Sequence, residues 1–597
     1  MNLATLIIDF LVNPWFILSA LFWILVAIAV YLLRNKKGAY TLFFPLLAMF
    51  KTKKLNKIIN RIASKNPKVW RIFWNIGIFV SFGFTIYAFY FFFTNLLNLI
   101  FAPSIEQAIV PLIPGVTIDL PIFFYMLLPL LFIITTHEFA HGISASIDGV
   151  EIKSTGILGA GFFYLIGFGA FVEVDEWELN SSKFNRYTRF RISAAGTYVN
   201  AITAGIAFLL LIGFPLMMSP LFKQVPQIYN VLQPEEGGFN YEVLENGDAI
   251  DAIKKDGETI DQYIFLDELQ GITLSTILDN KTRIKCSVGD NLTLKVFNPL
   301  SNLNSEKTVL LGPKYELGID YEYISDDQIR ITYNYTSEEN VNIIINQING
   351  TAINRTNGNT LEKFLTNFNL KYLNLTSNLG ISYVLEVDIT GVFIGVQSVL
   401  FWMHKNDFAG FLTANVPDFL QIELVWLFII SFSITIFNMM PIPGFDGDRI
   451  IKEIIRWIFG ERYGNTKKKR TERFIYRGDD TDCHLRGYHI ESVDTIKIYL
   501  KGKQYNKGRD EIILGENNYE LIDSTGSGYF DTVSILLPDD TNIEDDTTFE
   551  ITYKYLYDEN NRKKKPLLNF IRILSVAIIA GNFILSFIKF GFNFFWI

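Results

Sequence analysis

Two cysteines, five histidines and 19% charged residues are few for a chain of 597. Two thiols cannot build a disulfide framework. Cys286 and Cys483 fall in different polar regions, expected on opposite sides of a membrane, so both are expected to be free. The 53 basic and 61 acidic residues leave a net charge of -8. That modest value gives no sign of a nucleic-acid partner, and none is expected. No cleavable signal peptide is evident. The first apolar run, "PWFILSALFWILVAIAVYLL" (Pro14 to Leu33), is long enough to span and has no small-residue cleavage site after it. What abounds is apolar surface: half the chain is hydrophobic and 53 residues are Phe. In a chain this long, that composition reads as a membrane protein carrying polar domains.

Six spans are expected, near residues 14–33, 72–102, 121–147, 190–219, 420–443 and 567–594. Each has roughly 20 or more mostly apolar residues, enough to cross ~30 Å of hydrocarbon. A seventh run, "AYTLFFPLLAMF" (39–50), is too short to cross and is expected at the interface. The loop 34–71 is strongly basic, which places it in the cytoplasm. Alternation then puts residues 220–419 outside and 461–566 inside. The inner stretch is bracketed by "TKKKR" and "NRKKKP". The outer one holds six Asn-x-Ser/Thr triplets, at Asn280, Asn291, Asn334, Asn349, Asn354 and Asn374, and the inner one has none.

The fold class that follows is a polytopic α-helical membrane protein with an extracytoplasmic PDZ-like β-rich region and a cytoplasmic β-rich insertion. Residues 1–120 form an N-terminal membrane region with two spans and the basic loop. Residues 121–219 and 420–460 form the two parts of a membrane core. Residues 225–396 alternate apolar and polar positions and carry many turn signals. Within them "LENGDAIDAIKKDGETID" (244–261) and "IIINQINGTAINRTNGNTLEKFLTN" (343–367) look alike: strand, Gly turn, strand, helix-like run. Both resemble the core of PDZ domains, which bind peptides as an added strand. Two such modules are expected, or one with a long insertion. Residues 461–566 also alternate and read as a small β-domain before the last span, 567–597. Its "CHLRGYH" (483–489) lacks four ligands at a recognisable spacing, so a β-sandwich surface is expected there and not a metal site.

One stretch carries chemistry. "IITTHEFAHGISASIDG" (133–149) places His137 and His141 four residues apart, on one face of a helix, at the end of a span. Both imidazoles can then reach one metal ion, with Glu138 beside it as a general base. With five histidines, an accidental match should occur in roughly a few per thousand such sequences. Metal-binding groups at membrane depth are costly and read as functional. A catalytic zinc usually takes three protein ligands and keeps a fourth position for water. The third is sought in "FNMMPIPGFDGDRIIKEIIRW" (437–457), where an apolar span breaks at Asn438, Pro441, Pro443 and Gly444. Asp446 is the best candidate and Asp448 competes with it.

HExxH near the end of one span and Asn-x-x-Pro-x-Pro-x-x-Asp-Gly at the end of a later one resemble the site-2 protease family of intramembrane zinc metalloproteases. "GAFVEVDEWELNSSKFNRYTRFRISAAGTYVNAITA" (169–204) is similar to the segment after the catalytic helix in the membrane-bound transcription factor branch of that family. About a quarter of the chain is covered. The resemblance implies that His137, His141 and Asp446 ligate Zn2+, and that Glu138 takes a proton from the zinc-bound water and later delivers it to the leaving amine. Asn200 and Asn438 match family asparagines that hydrogen-bond substrate backbone or the developing oxyanion. Family members often have Pro after the Gly of the second helix, where this chain has "AAGTYVN".

The expected partners are transmembrane proteins already shortened by another protease, and the lipid bilayer. A substrate helix must unwind before attack, and "GFGAFVEV" (167–174) could add it as a strand, with Gly167 and Gly169 easing the turn. Two other readings compete. A catalytically silent scaffold binding peptides is opposed by the intact HExxH. A zinc hydrolase acting on lipid is opposed by the strand-like loop.

Overall fold

The computed structural model describes the chain except residues 1–11, 37, 114–116, 163–164, 175–178, 181–182, 237, 258–261, 280, 282–283, 300, 302, 318, 335–338, 368–369, 414, 477–480, 487–488, 500–510, 525–527, 537–546 and 592–597. Among the described residues, six helices are long and apolar enough to cross a membrane: Pro14–Leu33, Pro67–Phe101, Leu120–Ile147, Arg186–Met218, Asn415–Asn438 and Asn561–Phe590. Their outward faces carry residues such as Phe79 and Leu216, 78% and 79% exposed. Large apolar side chains left this open are stable only against lipid. The chain divides into two compact units, residues 1–210 with 422–597, and residues 211–421.

In the first unit, polar groups inside the bundle find one another. Asn95 donates to Asn582 Oδ1 at 2.8 Å, and Asn582 donates to the Phe92 carbonyl at 2.9 Å. Each such bond is worth only about 0.6 kcal/mol in a membrane, so it fixes the register of the second and last spans more than it stabilises them. Trp74, Ala140, Ala195 and Tyr198 form one of the apolar clusters joining three spans.

The short run at 39–50 is not helical. Tyr40–Phe43 (β1) and Leu47–Thr52 (β2) form a hairpin that continues into Ile152–Phe162 (β3) and Leu165–Val174 (β4), in the order β1-β2-β3-β4. Tyr40, Thr41, Phe43, Phe50 and Thr52 are residue types that favour strand, and the turn at Pro45 interrupts any helix. β4 therefore lies at the sheet's edge, one strand after the HExxH helix in the chain and beside it in space. The fifth span also differs from its expected limit of 443. It stops at Asn438, because Pro441 and Pro443 lack the N–H that a continuing helix needs. The amphipathic helix Asp446–Phe459 then begins.

Among its described residues the second unit contains three antiparallel sheets, two of them with their own cores. One of these runs β10-β5-β6-β8-β9, where β5 is Phe222–Val231, β6 Ala249–Lys255, β8 Asn291–Asn298, β9 Leu303–Leu310 and β10 Val396–His404; Ile264–Phe265 (β7) pairs with β6. The other, residues 319–386, lies in the chain between β9 and β10. Gly312–Glu316 and Asp388–Phe393 form the third, of two strands. The two look-alike segments take the same form. Each sheet strand is followed by a glycine with positive φ, Gly257 or Gly350, and later by a short helix capped by a threonine, Thr273 or Thr360. Asn291, Asn349 and Asn374 are exposed, whereas Asn280 lies outside the described residues.

Residues 463–558, in the first unit, form a four-stranded and a three-stranded sheet over one core that includes Cys483, Leu485, Ile496 and Phe549. Cys483 is buried, as is Cys286. His484 Nδ1 bonds Thr532 Oγ1 at 2.8 Å. Among the described residues, the one cluster of metal-ligating side chains is elsewhere.

Candidate metal centre

His137 and His141 lie one turn apart on Leu120–Ile147, and Asp446 is the first residue of Asp446–Phe459. Their ligand atoms all fall within 4.8 Å of one another. The two Nε2 atoms are 3.2 Å apart, and Asp446 oxygens lie 3.6 Å from His137 Nε2 and 3.4 Å from His141 Nε2. Tetrahedral ligands at zinc bond lengths are separated by about 3.3 Å. The three side chains therefore stand close to the spacing that a tetrahedral ion requires, with Asp446 Oδ2 nearer His137 and Oδ1 nearer His141.

The helix Arg186–Met218 sets the orientation of both imidazoles. His141 Nδ1 bonds the Ile192 carbonyl at 2.6 Å. A carbonyl only accepts, so the proton is on Nδ1 and the Nε2 lone pair faces the cluster. His137 Nδ1 lies 3.0 Å from the Asn200 amide nitrogen, while Asn200 Oδ1 is buried with no partner. Rotating that amide by half a turn gives Oδ1 the Nδ1 proton as its partner and frees His137 Nε2 for a metal. The orphaned oxygen thus points to a metal-ready tautomer.

Gly196 completes the cradle. A Cβ there would sit 2.5 Å from His137 Nε2 and would also meet His141 Nε2. Nothing larger than hydrogen allows the helix to lie this close to the ligand atoms. The motif "RFRI" (189–192) secures the approach. Arg191 Nη2 pairs with Asp148 Oδ2 at 2.5 Å, at the end of the HExxH helix, and Arg189 Nε pairs with Glu453 at 2.9 Å.

The elbow 438–447 places Asp446. Asn438 Nδ2 donates to Asp446 Oδ2 at 2.8 Å, and the Asp446 N–H donates back to Asn438 Oδ1 at 3.3 Å. Thr197 Oγ1 donates to the same Oδ2 at 2.9 Å. Gly447 packs on the Met439 carbonyl so closely that a Cβ would collide with backbone. Asp448, the competing ligand, is turned elsewhere: Arg572 of the last span grips it through two bonds of 2.6 Å. Asp448 is buried, and a carboxylate left there unpaired costs about 3–5 kcal/mol. Arg572→Met is therefore expected to lower the thermal midpoint in detergent and to loosen the elbow, weakening metal retention. Adding Asp448→Asn should recover much of that midpoint; no recovery would mean that the pair does not govern the elbow.

Glu138 Oε2 accepts from the Val172 N–H of β4 at 3.0 Å. The carboxylate is thus held by the sheet edge. Two cavities, each of about 740 Å³, meet at His137, Glu138 and Asn438. One is lined by charged groups, including Lys153, Glu173 and Arg449. Glu173 is held below the ordinary carboxylate range, first by the Ser154 hydroxyl at 2.6 Å and also by Lys51 at 3.1 Å, against the smaller effect of burial. Its charge helps to keep that mouth polar and wet. The other cavity is lined by Phe91, Phe92, Ile134, Phe432 and Phe437. Water and an apolar chain can therefore reach the same three residues from different directions.

The proposed ligands and Glu138 come together, and Asn200 and Asn438 both bond metal-ligand side chains. Gly196, Thr197, the Ile192 carbonyl and Arg572 carry no assignment from sequence. Gly196 and Thr197 stand inside "AAGTYVN", but a close approach leaves no periodicity to read. No curated protein matches the chain. A sequence model described as Peptidase family M50 matches residues 125–476, more than half of its length. The match encloses both His137 and Asp446, and with six apolar helices it makes this an integral membrane protein belonging to Peptidase family M50, the site-2 protease family of metalloproteases.

Proposed function

We propose that the protein is an intramembrane zinc endopeptidase that cuts peptide bonds within or next to transmembrane segments, in regulated intramembrane proteolysis. The observation that carries this reading is the meeting of a wet and an apolar cavity at His137, Glu138 and Asn438. His137, His141 and Asp446 would hold the ion. When bound, zinc supplies a Lewis acid that brings the pKa of a bound water toward ~7 and polarises the scissile carbonyl.

The chain's own residues do the rest. Glu138, fixed by Val172, takes the proton of the attacking water on its second oxygen and passes it to the leaving amine. Asn438 and Thr197 aim the Asp446 carboxylate; Asn200 fixes the His137 ring. For both asparagines these bonds favour ligand positioning over oxyanion stabilisation, since an amide bonded to a ligand has less freedom to follow a developing charge.

A helical substrate buries its carbonyls, so it must be opened. The free edge of β4 offers a template. Val172 is opposite Thr155 in the ladder and turns its N–H away from β3, toward Glu138. By the antiparallel alternation, Ala170, opposite Ile157, does the same. A substrate strand added there would run past the ligand cluster. Ala170→Pro removes one edge donor without deleting a β3 bond. It is expected to cut cleavage of a transmembrane peptide about tenfold or more while metal content is unchanged; unchanged cleavage would sink the strand-addition idea.

The basic loop 34–71 supports a cytoplasmic-facing site by charge bias. The sheets of residues 222–404 suit PDZ-like binding of chain ends, which would favour substrates shortened by an earlier cut. Deleting residues 225–396 should then admit uncut precursors. The function itself is tested by incubating the purified protein with tagged transmembrane peptides and sequencing the products. Cuts inside or beside the apolar segment are expected, and cuts confined to soluble tails would overturn the intramembrane reading.

A further inference from the structure

A second charged cavity, of about 610 Å³, lies beside the wet mouth of the metal centre and shares Asn180, Arg189, Lys452 and Glu453 with it. Eight basic side chains line it against three acidic ones. The acids are already engaged. Glu453 is shared by Arg189 and Arg456, Asp558 is held by Lys564 at 2.7 Å, and Glu461 accepts from the Tyr463 hydroxyl. The cavity therefore keeps a net positive charge, which a recess with low-dielectric walls concentrates.

Its position fixes the kind of anion. Arg186 is the first residue of one apolar span, and Asn561, Lys564 and Lys565 stand in the first turn of another. The third wall is the end of Asp446–Phe459, where Trp457 and Ile458 are 62% and 67% exposed. Arg186 lies over the Trp457 ring. An exposed Trp beside basic residues at the starts of two spans marks the level of lipid headgroups. The remaining wall is the β-domain, with Tyr463, Arg470, Arg486 and Tyr555. A basic recess at the starts of membrane helices is suited to phosphate.

We propose that this cavity binds the phosphate-bearing headgroup of an anionic phospholipid. The shared chemistry is a phosphate anion, and the position of Trp457 and the two span starts selects lipid over a soluble phosphate. The proposal rests on its own residues and does not depend on peptidase activity.

The test uses the full-length protein in nanodiscs of phosphatidylcholine with or without phosphatidylglycerol. Retained lipid is read by native mass spectrometry after transfer to detergent. Phosphatidylglycerol is expected to stay bound in preference to phosphatidylcholine. Arg186→Gln with Lys565→Gln should reduce that retention about tenfold, each cation near the surface contributing its share of attraction. Both side chains are exposed, so the fold should persist; an unchanged thermal midpoint checks this. Inorganic pyrophosphate, added alone at millimolar concentration, should compete weakly. Pyrophosphate displacing the lipid completely would overturn the lipid assignment in favour of a soluble phosphate. Displacement by a polyglutamate peptide but not by pyrophosphate would assign the cavity to an acidic protein segment instead. Equal retention of the two lipids, or no effect of the double substitution, would overturn the site itself.

Discussion

Gly196→Ala should abolish zinc binding and peptide cleavage together while leaving the protein folded. The new methyl would sit 2.5 Å from His137 Nε2 and against His141 Nε2, a separation no real carbon and nitrogen adopt without bonding. Either the imidazoles swing away from Asp446 or the helix Arg186–Met218 retreats. Both open the ligand triangle, and a ligand displaced by even an ångström loses most of its bond. Changes that only disturb the partners of metal ligands already cost about 10–100-fold in affinity; direct collision with two ligands should exceed that. The control is on the same helix. A Cβ at Gly205 meets nothing within 4 Å, so Gly205→Ala should retain zinc and activity. Equal behaviour of the two variants, by metal analysis of purified protein, would refute the cradle.

Glu138→Gln separates chemistry from metal binding. The substitution keeps the length of the side chain and an oxygen that can accept from Val172, so the local geometry has no reason to change. It removes the group that takes the proton. A positioned general base contributes typically about 10²–10⁴-fold, so cleavage should fall by at least 100-fold with zinc content unaltered. Loss of zinc in this variant would instead make Glu138 part of the ligand set. Retention of full cleavage would leave proton transfer to some other group and contradict the role given to Glu138.

Much of this was legible in the sequence because it repeats at a fixed period or breaks one. His137 and His141 are one helical turn apart, and the apolar spans are long enough to be unambiguous. Pro441 and Pro443 end a helix wherever they occur. The long-range pieces were not legible. Gly196 matters because two helices far apart in the chain approach closely, and glycine is frequent in membrane helices wherever backbones pack together. Arg572 was hidden in the last span, and only its bidentate grip on Asp448 shows why Asp446 alone faces the imidazoles. The run at 39–50 was too short for its period to distinguish strand from helix, and its pairing with residues 155–160 is a tertiary fact. The nesting, in the chain, of one sheet of the second unit within the other depends on Val396–His404 returning to Phe222–Val231, a contact between residues more than 160 positions apart.

The central claim is that His137, His141 and Asp446 hold one catalytic zinc at membrane depth. The most direct measurement is zinc per chain, by elemental mass spectrometry of the purified protein, taken on the same samples used for cleavage of a tagged transmembrane peptide. One zinc per chain with cleavage is expected for the wild type, and neither for His141→Ala or Asp446→Ala. Cleavage by a wild-type sample free of zinc, or full zinc in both ligand variants, would contradict the account.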